Sequence, residues 1–448
     1  MGPSVVVVSP PAISCRNPRF MAYGGVERDV WRLGRLLRSV GCEVVPVASS
    51  DSDFGPGIST RGLSSEPSWY LEDRIPRVYS EDAPALLDSY ARHAGGVVER
   101  EQADAVVLLG PSPQVLRAAI SAARPALHRI IVVLCNGPND NLSVVPILAS
   151  EPDLKVLCLS EMQRSSFGTL ADRLEVVTGG IPVAAIPFSP DPASRRRQLM
   201  RDRAFSAIRL RPERPLIGQI DYFHPNKGML ITLEVYRSSG MSRTHDLVLA
   251  GGMGWQLHSR DETGSSHAGE LYLSAMRNFI RENNMVGAVQ ILGSLPGWRV
   301  AELYGCMDIA ISPVRLEHQR LWPYSPGILD PESYGQGRAI ANSAGTPVLM
   351  SEKYDPSFAA DTCPELRFRD PKEGADRLRS LASMPDLRPK MRSFAERRDA
   401  MTPGLARYVR LIGERAEKNR GMHFDPPRQV LENAVVELVG LESKGPRP

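Results

Sequence analysis

Short apolar runs alternate with helix-length amphipathic segments along most of the chain, a rhythm that predicts βαβ units on a parallel sheet. In the first half the strand candidates are SVVVVSP (4–10), EVVPVAS (43–49), ADAVVLLG (103–110), RIIVVLCNG (129–137) and DLKVLCLS (153–160). Between the first two lies GGVERDVWRLGRLLRSVG, where Val30, Leu33, Leu37 and Val40 recur at helical spacing and Gly41 can end the helix. The pattern then restarts. RPLIGQI (214–220), HDLVLAGG (245–252), VQILGSLP (289–296), CMDIAISPV (306–314) and GTPVLMS (345–351) read as strands. Helices are expected from about Lys227 through Arg237 and in VAELYG and GQGRAIANSAG. The fold class is therefore α/β, with two Rossmann-like halves at 1–190 and 205–401. The Pro- and Arg-rich stretch 186–213 is the expected linker, and the amphipathic helices of about 402–448 are expected to pack back on the first half.

Composition narrows this picture without changing it. A chain of 448 residues exceeds one ordinary core and suits two domains and a tail. Hydrophobic content of 42% with 23% charged residues is that of a globular protein, and runs such as VVVV at 5–8 are too short to span a bilayer. The start MGPSVVVVSPP has no secretory pattern, so a cytoplasmic protein is expected. Six scattered cysteines with no C-x-x-C pair point to buried free thiols rather than a zinc site or a disulfide framework. A net charge of +3 implies neither a nucleic-acid nor a membrane partner, and SRRRQLMRDR (194–203) reads as a solvated helix face.

The candidate chemistry sits where strands end and helices begin. Gly24-Gly25 precedes a helix, where bare backbone and the helix dipole suit an anion. In GQIDYFHPNKG, Lys227 follows a strand and loop and opens a helix, so its ammonium could meet phosphate oxygens. Asp51-Ser52-Asp53 matches a metal-binding D-x-D, but such triplets are also ordinary turns. His258 and His267 lie in a polar loop with no third ligand at metal spacing.

The ordered set GG-helix, strand-G-loop-KG-helix, AGG, LGSLP, AELYGCMDIAISP, E-S-Y-G and AGTPV resembles the GT-B-fold retaining glycosyltransferases of family 4, from Val5 to about Val348 with a looser tail. The resemblance implies two Rossmann-like domains facing each other across a cleft. It places donor-diphosphate contacts on Gly24, Gly25 and Lys227, and a grip on the transferred sugar on Glu332, Tyr334 and Gly335 with Gln336 beside them. Three positions depart from the family. Gln219 stands where an arginine would bind the diphosphate, Ile340 where a glutamate would hold the ribose, and Asn136 where a histidine would meet the sugar. Arg315, Arg320 or Arg338 could replace the missing cation, and Asn342 part of the missing carboxylate. The segment VRLEHQRLWPYSPGILDP (314–331) reads as a binding loop or a structural one, and its Glu317 competes less well than Glu332 for the first glutamate position.

The implied catalytic residues are Lys227, Glu332 and Asn136, acting by positioning and charge stabilisation in a front-face displacement. No metal or cofactor is implied; the donor would be a GDP- or UDP-type sugar. Polar segments 16–25, 110–114 and 136–141 suggest a small hydrophilic acceptor, as in natural-product (antibiotic) assembly, for example an aminocyclitol or a thione. A homodimer stays open. The alternative is a degenerate GT-B protein that binds a sugar nucleotide or a partner without transfer.

Overall fold

The computed structural model describes residues 2–18, 21, 25–69, 82–135, 141–177, 180–252, 268–314, 335–353, 363–384 and 386–443. The chain divides into two compact units, one of Met1–Ala185 with Ala400–Pro448, the other of Ile186–Gln256 with Gly264–Asp399.

The first unit holds strands β1 (Ser4–Val8), β2 (Glu43–Val47), β3 (Ala105–Leu109), β4 (Ile130–Leu134), β5 (Lys155–Cys158) and β6 (Leu174–Val176), in the order β2-β1-β3-β4-β5-β6. All five ladders are parallel, with Val5 opposite both Val44 and Ala105. The apolar runs are continuous because helices cover the strands. Val6, Leu108, Val132 and Val156 pack in one core with Ala94 and Val98 of the helix Ala83–Glu101 and Leu116 and Ile120 of the helix Pro113–Ala123. The 20-residue helix Met401–Arg420 and the helix Arg428–Ser443 after it belong to this unit. In the first of them Asn419 meets His128 at 2.6 Å and donates to Asp104 O at 2.9 Å.

The second unit holds β7 (Leu216–Ile220), β8 (Asp246–Ala250), β9 (Val289–Leu292), β10 (Ile309–Ser312), β11 (Val348–Ser351) and β12 (Arg367–Phe368), again wholly parallel. The order β12-β11-β10-β7-β8-β9 puts the first and fourth strands of the unit side by side, so connections run outward in opposite directions from β7 and β10.

The segment 186–213 is no linker. It forms the helix Pro192–Leu199 and belongs to the second unit, with Leu199, Phe205, Ile208 and Leu210 buried. The Phe205 ring meets Trp298 edge-on at 5.8 Å. Nor is its arginine run simply a solvated face. Arg195 pairs with Glu302, and buried Arg196 pairs with Asp308 at 2.7 Å, while Arg197, Arg201 and Arg203 stay exposed. All six cysteines are free; five are buried and Cys135 is half-buried. Among the described residues no helix is long and apolar enough to cross a membrane.

A short helix, Gln336–Ser343, is held at both ends by buried arginine contacts. Near its start Arg338 pairs with Asp399 at 2.8 and 3.1 Å, both side chains 0% exposed. At its end Arg392 donates to Ser343 O (2.8 Å) and Arg388 to Ala344 O (3.1 Å), where cations suit a helix's terminal carbonyls. Removing one partner of a buried ion pair strands the other charge, so Asp399→Ala should cost about 3–5 kcal/mol in denaturant unfolding. The double change Arg338→Met with Asp399→Leu should recover most of that loss.

Candidate functional site

In open parallel sheets ligands bind beyond the carboxyl ends of the strands, at the point where the strand order reverses. In the second unit that point lies between β7 and β10. The turn Asp221–Gly228 leaves β7 there, and Gly228 closes it at φ +66°. A Cβ at Gly228 would sit 2.7 Å from Pro313 O, so the turn lies against the end of β10 and no larger residue fits.

Lys227 is the cation that this turn carries. It ends a 3-10 turn, Pro225–Lys227, and the following helix starts at Met229, two residues later than expected, because Gly228 is left-handed. The ammonium lies 3.5 Å from Asp221 Oδ2 and 5.3 Å from the centre of the Tyr222 ring, with the side chain 17% exposed. His224 Nδ1 meets the Asn226 side chain at 2.7 Å. Burial holds the His224 imidazole below its ordinary pKa against that hydrogen bond, and the charge on Lys227 adds to the depression.

Gln219 stands at the position where the resemblance implies a diphosphate contact. It is 2% exposed on β7, and both ends of its amide turn into the protein. Its Nε2 donates to Lys227 O at 2.6 Å, and its Oε1 accepts from Thr232 Oγ1 at 2.6 Å. The side chain thus ties the strand to the lysine turn and to the helix Met229–Ser239. It is a positioning residue, its amide engaged inside the unit at both ends.

The second component is the start of the helix Gln336–Ser343. Gly335 is its N-cap at φ 69°, and the first-turn amides of a helix lack intrahelical acceptors. Gly337 lies beside the end of β7, where a Cβ would stand 3.7 Å from Ile220 O. Tyr304 reaches the same carbonyl at 3.5 Å. The helix start and the lysine turn therefore meet at one strand end, an arrangement that favours an anion.

Two further candidates are engaged inside the unit. Arg338, a candidate replacement cation, is paired with Asp399 there. Asn342 is buried, donating to Thr346 O at 3.3 Å and accepting from Arg338 at 3.2 Å. Ile340 is also buried. Gly25 opens the helix Gly25–Ser39 in the first unit. Gly24, Asn136, Arg315, Arg320, Glu317, Glu332, Tyr334, His258 and His267 lie outside the described residues. Of the D-x-D carboxylates, Asp51 accepts from Ser68 N and Oγ at 2.9 and 2.8 Å, 17 residues along the chain, and Asp53 accepts within its own turn from Gly55 N at 2.7 Å. Sequence reasoning missed Asp221 and Tyr222, although a carboxylate at the first position after a strand, six residues before a lysine, is a visible signal.

No protein-family model matches the sequence, and no curated protein matches it. Solved structures do match. The chain is similar to a sucrose-phosphate synthase from Thermosynechococcus elongatus at 14% identity and a TM-score of 0.64, over 92% of this chain and 98% of the other. It is similar to Anabaena HepE in complex with UDP-glucose at 13% identity and a TM-score of 0.61, over 94% of this chain and 100% of the other. A glycosyltransferase involved in avilamycin A biosynthesis matches at 17% identity and a TM-score of 0.56, over 94% of this chain and 99% of that one. Together with the two six-stranded parallel sheets, these likenesses show the fold: the chain is a GT-B-fold protein, two Rossmann-like units in one polypeptide.

Proposed function

We propose that the chain is a glycosyltransferase that moves a sugar from a nucleoside-diphosphate sugar to a small hydrophilic acceptor with retention of configuration. The observation that carries this reading is Lys227, fixed by Gln219 at the strand-order reversal of the second unit, beside a helix start. The leaving diphosphate gathers negative charge as the glycosidic bond breaks, and a preorganised ammonium and amide groups stabilise that charge without rearranging. In this reading Asp221 holds the ammonium until a phosphate replaces it. Glu332 and Tyr334 orient the sugar, Gly335 and Gln336 present helix-start amides, Gly24 and Gly25 offer backbone to the diphosphate, and Asn136 hydrogen-bonds sugar or acceptor. Arg315 and Arg320 remain candidates for a second cation.

The likeness to HepE, whose structure holds UDP-glucose, supports a UDP-type donor. The likeness to the avilamycin enzyme is in keeping with natural-product assembly. The reaction proposed needs no cofactor, since lysine and helix start supply the charge stabilisation that a metal supplies elsewhere.

A second reading, a sugar-nucleotide binder without turnover, is favoured by one finding: Gln219 and Arg338 are both engaged inside the unit, which leaves Lys227 without the family's arginine. Consumption of a UDP- or GDP-sugar panel by purified protein separates the two readings, since release of nucleoside diphosphate supports transfer and tight binding without release supports the binder.

Lys227→Ala should lower kcat by about 10²- to 10³-fold, the range for losing one charge-stabilising donor, and shift the unfolding midpoint by under about 2 °C. A parallel loss of activity and stability would count against the assigned role. Gln219→Arg makes a sharper distinction. If the position faced the diphosphate, restoring the family's arginine would raise turnover. Here it buries an uncompensated charge, so a destabilisation of about 3–5 kcal/mol and lower activity are expected.

A further inference from the structure

The turn that carries Lys227 holds a second titratable side chain, which the family pattern does not assign. His224 immediately precedes the 3-10 turn Pro225–Lys227, and the turn closes where Lys227 N–H donates to His224 O at 2.9 Å. The Tyr222 ring lies against both side chains: its centre is 5.7 Å from that of the His224 ring and 5.3 Å from Lys227 Nζ. One aromatic ring thus brings the imidazole and the ammonium to the same patch of the turn.

Of the two ring nitrogens, Nδ1 is engaged within the turn. It meets Asn226 Oδ1 at 2.7 Å, and since an amide oxygen only accepts, Nδ1–H donates. Nε2 makes no hydrogen bond among the described residues and is not buried. The charged and titratable neighbours are Lys227, the Asp221 carboxylate that pairs with it, and Tyr222, all on the same turn. The strand ends packed against the turn meet it through main chain. Ala250 O and Gly252 O of the β8 end accept from Asp221 N and Phe223 N at 3.0 and 2.7 Å, and Pro313 O at the end of β10 faces Gly228.

A diphosphate brings more negative charge than one ammonium offsets. Gln219 is neutral, and Arg338 is paired with Asp399. Burial and the Lys227 charge hold the His224 imidazole below its ordinary pKa, so without an anion beside it the ring is neutral at pH 7. An anion within reach reverses that field, and a charge-assisted N–H···O bond adds to the reversal. The Asn226 oxygen works in the same direction, because it accepts from the charged ring as well.

We propose that His224 is the second cationic group of this site: a bound diphosphate keeps a proton on the imidazole, and Nε2–H donates to a phosphate oxygen beside the Lys227 ammonium. The proposal rests on the sugar-nucleotide reading of the site given above. The proton comes from solvent, so binding takes it up. Between the ligand-free and ligand-bound pKa values of the ring, affinity falls as pH rises, by at most about tenfold per pH unit. Above the ligand-bound value the ring is neutral in both states, and affinity levels off.

Calorimetric titration of the full chain with UDP-glucose and GDP-glucose tests this, because both phosphates of these ligands are esterified and hold their charge across neutral pH. Two buffers of different ionisation enthalpy count the protons. Wild type should bind about tenfold more tightly at about pH 6 than at about pH 8, taking up about half a proton at pH 7. His224→Gln keeps a neutral donor; it should lose the uptake, change less than about twofold between those pH values, and bind about tenfold more weakly at the lower one. His224→Lys, a fixed cation, should bind at the higher pH within about threefold of wild type at the lower. Unfolding midpoints of both variants should stay within about 2 °C of wild type. Equal wild-type affinity at the two pH values, or proton uptake that persists in His224→Gln, would overturn the proposal and leave the Lys227 reading in place. If neither sugar nucleotide binds, the reading of the site fails and the role of His224 with it.

Discussion

A buried, uncharged amide organises the second unit's candidate site. Gln219 bonds once to a main-chain carbonyl and once to a hydroxyl, and those two bonds join a strand, a turn and a helix. Either bond lost would leave a polar group unsatisfied in a dry interior, at a cost of about 1–3 kcal/mol. The turn is therefore held where β7 leaves the sheet, and the side chain of Lys227 inherits its position from the main chain that Gln219 grips. An arginine could reach a ligand from this position but could not accept from Thr232, so the glutamine gives up a direct contact and gains a fixed turn.

Charge inside the unit is handled in the same spirit. Arg196, Arg338, Arg388 and Arg392 all reach into its interior, and each meets a carboxylate or main-chain carbonyls rather than solvent. Guanidinium suits this work because its planar fork satisfies several acceptors at once. Lysine, a compact ammonium on a flexible stem, is better suited to exchange one partner for another, and Lys227 stands between a carboxylate and an aromatic face. In the proposed reaction, where the ammonium would exchange Asp221 for a phosphate, that freedom is the useful property.

Ten of the twelve strands among the described residues are legible in the sequence because their apolar runs are four or five residues long and flanked by turn residues. The strands β6 and β12, of three and two residues, are not, since so short a run carries no period. The resemblance locates Lys227 and Gln219 along the chain but cannot say which way a side chain points, and for Gln219 that direction decides the role. Arg338 misleads for a related reason. It lies in a helix whose residues Arg338–Ser343 are all buried, and the carboxylate that engages it is 61 residues away. The segment 186–213 reads as a linker because its composition is polar, yet its five buried apolar residues, Ile186, Leu199, Phe205, Ile208 and Leu210, belong to the second unit.

A crystal structure with a nucleoside diphosphate bound would decide whether Lys227 serves the leaving group. The Lys227 ammonium should then have left Asp221 and lie within about 3 Å of a phosphate oxygen, with the Gln219 bond to the Lys227 carbonyl intact. A diphosphate bound away from the ends of β7 and β10, or a Lys227 still paired with Asp221 while the ligand is in place, would contradict that role.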